Sequence, residues 1–169
     1  MHVTILSDAS YCPKYKVAGY GFWIACSRGK LGGGGQILED VEDTNAAEMM
    51  AICNAVWHGV TDQLIERGDK LLIQTDSLAA IDRLRGQRVV TVTDQQKRIV
   101  AYYEKAVRRL ELNVQLRHVK GHTLHQEARF VANRMCDKRA KEQMRAARKT
   151  KMAQPYIQEI KELLSEHQP

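Results

Sequence analysis

Two short apolar runs, each ending on a carboxylate, constrain this chain more than any other feature. Val3-Thr4-Ile5-Leu6 stops at Ser7-Asp8-Ala9-Ser10, and Lys70-Leu71-Leu72-Ile73-Gln74-Thr75 stops at Asp76. β-Branched and aliphatic residues in runs this short read as central strands buried on both faces. An acid at the end of such a strand sits at the lip of a sheet, fixed by the backbone yet open to solvent and ligands. A buried acid without partners is costly, so Asp8 requires a hydrogen-bond donor, a counter-charge or a metal ion.

Between the two runs the pattern changes twice. Gly19-Tyr20-Gly21-Phe22-Trp23-Ile24-Ala25 is aromatic and apolar enough for a second strand, preceded by a polar link from Tyr11 to Lys16. Ser27-Arg28-Gly29-Lys30 supplies turn chemistry, and Leu31 to Leu38 returns as a third strand. Its Gly32-Gly33-Gly34-Gly35 lacks the Gly-Lys-Ser/Thr ending and helix start of a phosphate-cradling loop, so it reads as a flexible strand or bulge. Thr44 is then a helix N-cap. Ala46, Ala47, Met49, Met50, Ile52, Ala55, Val56 and Val60 give an apolar helix to about Leu64.

After the second run, Ser77 caps a short helix through Leu78, Ile81 and Leu84, and residues 86–93 form a loop. Asp94 starts a helix carrying Ile99, Val100, Tyr103, Val107 and Leu110. Residues Val114 to Val119 alternate as a strand. The polar segment from Lys120 to His125 precedes a long helix opened by Glu127 and running to about Ala147, its later half studded with lysine and arginine. Pro155 interrupts, and Ile157, Ile160, Leu163 and Leu164 outline a last amphipathic helix. Three hairpin-linked strands followed by βα units imply an α/β fold with a mixed sheet and helices packed on it.

The 169 residues fit one domain with a terminal appendage, and 44% apolar residues suffice for a core. A net charge of +6 suits a polyanion-binding protein and an ordinary basic protein equally. Cys12, Cys26, Cys53 and Cys136 are far apart, which argues against zinc ligation and a disulfide framework. No secretory signal is visible, and no apolar run approaches the ~20 residues of a membrane span, so a cytoplasmic protein without a membrane partner is expected.

Glu48 lies near the start of the first helix. If the first and fourth strands are parallel neighbours, Asp8 and Asp76 come close together there, outside the carboxyl ends of the strands. Adjacent like charges drive one pKa upward unless a divalent cation binds between them, and hard oxygen ligands suit Mg²⁺ or Mn²⁺.

The set Thr4-Ile5-Leu6-Ser7-Asp8-Ala9-Ser10, Thr44-Asn45-Ala46-Ala47-Glu48, Thr75-Asp76-Ser77 and Val119-Lys120-Gly121-His122, with Cys136-Asp137 beyond, resembles in order the motifs of type I ribonuclease H. The likeness covers about residues 1–148. It implies that family's five-stranded mixed sheet flanked by helices, with a catalytic domain over residues 1–150 and a C-terminal helical extension over 151–169. It further implies that Asp8, Glu48, Asp76 and Asp137 bind two Mg²⁺ ions, for which Mn²⁺ can substitute. The activity implied is hydrolysis of the RNA strand of RNA/DNA hybrids, leaving 5′-phosphate and 3′-hydroxyl ends. One metal lowers the pKa of the attacking water and the other stabilises the departing 3′-oxygen. His122 stands where the family places a proton-shuttling histidine. Ser10, Asn45 and Ser77 are expected near the substrate, with Asn45 and Glu48 towards the 2′-hydroxyl that separates RNA from DNA.

Three departures accompany the likeness. The loop after Asp8 reads Tyr11-Cys12-Pro13-Lys14-Tyr15 in place of a Gly-Asn-Pro-Gly character. Glu42-Asp43 puts acids where bacterial members hold a DNA phosphate. Between Asp76 and His118 there is no tryptophan- and lysine-rich protrusion. Two alternatives stay open: another nuclease of this fold acting on duplex RNA or DNA, and a non-catalytic nucleic-acid-binding module. The C-terminal helix is expected either to dock on the core or to contact a partner protein.

Overall fold

The computed structural model describes residues 1–86, 92–119 and 128–165, with side chains in the last stretch described from residue 131. In chain order the elements are β1 (His2–Cys12), β2 (Val17–Cys26), β3 (Gly29–Ile37), α1 (Thr44–Thr61), β4 (Lys70–Thr75), α2 (Leu78–Leu84), α3 (Asp94–Arg109), β5 (Asn113–His118) and α4 (Ala128–Ser165). The five strands form one mixed sheet ordered β3-β2-β1-β4-β5. β1, β2 and β3 pair antiparallel, whereas β4 runs parallel to β1 and to β5. The five-stranded mixed sheet is the one the resemblance implied, and the condition for Asp8 and Asp76 to meet, a parallel β1–β4 pair, is fulfilled.

Several local expectations change. β1 does not stop at Asp8: it stays paired with β2 out to Cys12 opposite Val17, so Tyr11 and Cys12 belong to the strand and not to the link. Its pairing with β4 ends earlier, at Leu6 opposite Gln74. The lip of the sheet beside Asp8 therefore comes from the end of β4. The four-glycine segment is a regular strand, its register unbroken from Gly29 opposite Cys26 to Ile37 opposite Ala18.

Thr44 is the first residue of α1 and not its cap. Asp43 takes that place with extended backbone, and its carboxylate accepts the Ala46 amide at 2.7 Å. The helix ends at Thr61, short of Leu64, and Gln63 follows with φ 59°. Pro155 does not interrupt α4, which is continuous through it. Proline removes one amide donor, that for the Lys151 carbonyl, and residues 154–165 are all exposed. Because this stretch is exposed, it does not dock on the core. Among the described residues no helix is long and apolar enough to cross a membrane.

Alternation along β2 gives the sheet two unlike faces. Ala18, Tyr20, Phe22 and Ile24 point into the main core, where α1 packs with Met49, Ile52 and Ala55. Gly19 and Gly21 point the other way, under α4. A methyl group on either would run into the α4 backbone, at Met144 and Cys136 respectively, so this helix approaches the sheet more closely than a side chain there would permit.

Candidate metal centre

Each element delivers one acid to the same corner. Asp8 sits on β1 two residues past its last pairing with β4, and Asp76 directly follows β4. Glu48 lies one turn into α1, whose start is fixed by the Asp43 cap. One oxygen from each of Asp8, Glu48 and Asp76 lies within 4.8 Å of the others. Asp8 and Glu48 are buried and Asp76 is half-buried.

Burial raises the Asp8 carboxyl to about 7, helped by the charges of Asp76 and Asp137; the Ala9 amide and Lys141 pull it down less. Glu48 is pushed up to about 9, again first by burial and then by Asp8 and Asp76. Glu48 Oε2 is also buried without a hydrogen-bond partner among the described residues. Crowded acids that resist ionising, one with an orphaned oxygen, form an incomplete electrostatic arrangement. A hard divalent cation would complete it by supplying the missing positive charge to oxygen donors.

Asp137, on α4, stays outside the three-oxygen group. It is half-buried and bonded to Lys141 Nζ at 2.8 Å, yet close enough for its charge to act on Asp8. The neighbouring Cys136 thiol is buried, and burial with the Asp8 charge raises it to about 12, too high for a nucleophile at neutral pH. Ser10 is half-buried on β1, on the same face as Asp8. Asn45 is half-buried in the first turn of α1. Ser77 caps α2, its hydroxyl accepting the Ala80 amide at 3.2 Å. His122 lies outside the described residues, as does the whole Lys120–His125 segment.

Sequence reasoning passed over a set of supporting residues. Asp43 accepts a second hydrogen bond, 2.8 Å from Gln96 Nε2, and Gln96 in turn accepts one from Arg83 Nε at 2.8 Å. Gln95 bridges the Asp40 carbonyl and the Glu42 amide. Together they clamp the start of α1, and so Asn45 and Glu48, to the start of α3. His118, ending β5, is hydrogen-bonded to the Asp76 backbone carbonyl at 3.1 Å, which puts an imidazole beside Asp76. Asn133 is buried one α4 turn before Asp137, with its side-chain oxygen unpartnered among the described residues. Only its spacing from Asp137 could have singled it out.

The sequence profile of the RNase H family matches residues 1–145. Solved structures share the fold at low identity. The N-terminal RNase H domain of rv2228c from Mycobacterium tuberculosis is 18% identical with a TM-score of 0.66, the match covering 88% of this chain and 97% of that one. RNase H1 from the halophilic archaeon Halobacterium salinarum NRC-1 is 17% identical at TM-score 0.64, over 86% and 99% of the two chains. LC11-RNase H1, isolated from compost by a metagenomic approach and solved in complex with an RNA/DNA hybrid, is 16% identical at 0.61, over 83% and 97%. No curated protein matches the chain in sequence.

Proposed function

The chain belongs to the RNase H family, whose members are divalent-metal-dependent nucleases, and from that premise we propose that it hydrolyses the RNA strand of RNA/DNA hybrids. The observation that carries the reading is the convergence of Asp8, Glu48 and Asp76 around an orphaned Glu48 oxygen. These residues would hold the metal, with Asp137 as the fourth carboxylate once it exchanges Lys141 for a cation. Bound as a pair, Mg²⁺ ions, or Mn²⁺ in their place, lower the pKa of an attacking water and offset the charge of a departing 3′-oxygen.

The protein's own groups do the rest. Water attacks phosphorus, the bond from phosphorus to the 3′-oxygen breaks, and a proton passes to that oxygen, leaving 5′-phosphate and 3′-hydroxyl ends. We assign His122 to proton transfer, since an imidazole titrates near neutrality. Asn45, on the same helix as Glu48, with Ser10 and Ser77 nearby, is assigned to recognition of the RNA strand through its 2′-hydroxyls. The Asp43–Gln96–Arg83 chain keeps Asn45 and Glu48 in place.

Labelled hybrid, duplex RNA and duplex DNA, each incubated with Mg²⁺, Mn²⁺ or EDTA, test this reading. Hybrid-only cleavage is expected, lost in EDTA and reduced about a thousandfold or more in Asp8→Asn, because a metal site supplies several kcal/mol of transition-state stabilisation. Equal cleavage of duplex RNA or DNA would replace the proposed substrate. Binding without cleavage in either metal would make the protein a nucleic-acid-binding module.

A further inference from the structure

α4 carries a cationic stripe that the metal centre does not use. Arg145, Arg148 and Lys149 are exposed and have no acidic partner among the described residues. Other cations of this helix are engaged: Lys141 with Asp137, Lys151 with Asp40, and Lys138 with Glu142 at 4.0 Å. On α3, by comparison, Lys97 is paired with Asp94 and Arg108 with Glu104.

The spacing on α4 does the reverse. Arg145 has Lys141 and Lys149 at i−4 and i+4 and Arg148 at i+3, and the single acid beside it, Glu142 at i−3, is shared with Lys138, so like charges outnumber unlike ones around it. Such a run is relieved by an external polyanion. Its position indicates which polyanion. At about 100° per residue, Arg148 lies ~20° around the helix from Asp137, Arg145 ~80° and Lys149 ~120°, all turned towards solvent, while Cys136, Ala140 and Ala147 face the sheet on the other side. At ~1.5 Å per residue the three cations stand ~12 to 18 Å beyond Asp137 along the axis. The stripe therefore leads away from the rim of the metal centre on the solvent side. That distance equals about four to five nucleotide steps of a duplex strand.

Building on the nuclease reading, we infer that Arg145, Arg148 and Lys149 form a second nucleic-acid contact, which holds backbone phosphates of the bound duplex some four to five nucleotides from the scissile bond. The row matches a repeating phosphate charge, and it contributes salt-sensitive affinity without base selectivity.

The test compares Arg145→Ala/Arg148→Ala/Lys149→Ala with Lys105→Ala/Arg108→Ala/Arg109→Ala on α3. The second triple removes the same charge from exposed positions on the opposite side of the sheet. Alanine keeps both helices favourable. Fluorescence anisotropy follows binding of a hybrid of about 20 base pairs in EDTA, where nothing is cut and Mg²⁺ does not compete for phosphate. Loss of three phosphate contacts lowers the slope of log affinity against log salt by roughly 2 to 3. Raising salt from about 50 to about 200 mM then costs the α4 variant roughly 15- to 60-fold less affinity than the wild type. The α3 variant is expected to keep the wild-type slope to within about one contact. In Mg²⁺, the α4 variant raises KM more than it lowers kcat. An unchanged slope, or an equal drop in the α3 variant, overturns the inference. If the wild type binds hybrid but never cuts it, the nuclease reading fails, whereas the slope comparison still decides the α4 contact.

Discussion

The two faces of the central strands are built on opposite principles. Towards α1, β2 presents Tyr20, Phe22 and Ile24, and His58 stacks on Phe22 with ring centroids 4.7 Å apart. Towards α4 the same strand presents Gly19 and Gly21, and Gly21 stands opposite Asp8 in the register. One face removes apolar area from water. The other gives up side chains so that a helix backbone can come close and bring Asp137 and Lys141 within electrostatic reach of Asp8. Stability and site geometry are thus assigned to different sides of one sheet, and they should be separable by substitution.

The largest separation is expected at Phe22. Phe22→Ala empties a fully buried site and should cost about 3–5 kcal/mol in chemical denaturation, while leaving hybrid cleavage per folded molecule within a few-fold at low temperature. Gly21→Ala should cost less stability, about 1–3 kcal/mol of overpacking, but far more cleavage, because α4 must move off Asp8. Should Phe22→Ala lose more activity per folded molecule than Gly21→Ala, the division between the faces is wrong.

A smaller effect sharpens the cost of the site itself. Asp8 and Glu48 have folded-state pKa values raised to about 7 and about 9 from ordinary values of 3.8 and 4.5. The folded, metal-free protein thus favours their protonated forms, so their contribution to stability is full below about pH 4 and is lost as pH rises through 7 and then 9. Glu48→Gln should remove part of that loss. Thermal melts in EDTA are expected to show the variant a few degrees above wild type at pH 8 and level with it near pH 4, since about 1 kcal/mol shifts Tm by roughly 2–4 °C in a chain of this size. Equal melting at both pH values would mean that burial and the neighbouring acids do not hold Glu48 protonated.

How much of this was legible in advance follows from the range of each interaction. Strand order and the acids at the β1–β4 lip are written locally, in apolar runs and the residues that end them, and Ser77 announces its helix in the same way. The Asp43 cap was missed because Asp43 and Thr44 are both good caps, and only the extended backbone at 43 with a Gln96 partner 53 residues away decides between them. The straight glycine-rich β3 and the bare face of β2 were unreadable for a similar reason. The bare face of β2 lies under a helix more than 100 residues later in the chain, and the β3 glycines lie against the rings of Tyr20, Phe22 and Trp23 as well as Arg139 of that helix. Lys141 holding Asp137 is local in sequence, at i and i+4, but a salt bridge on a helix has the same spacing whether or not it borders a metal centre.

The claim on which the rest depends is that the three crowded carboxylates hold divalent cations. Titration calorimetry of Mn²⁺ into the metal-free protein at about pH 7.5, in two buffers of different ionisation enthalpy, addresses it directly. Binding is predicted to release about one proton, mostly from Glu48, to weaken sharply by about pH 5.5, and to disappear in Asp8→Asn. Binding that releases no proton, or that survives unchanged in Asp8→Asn, would contradict the account.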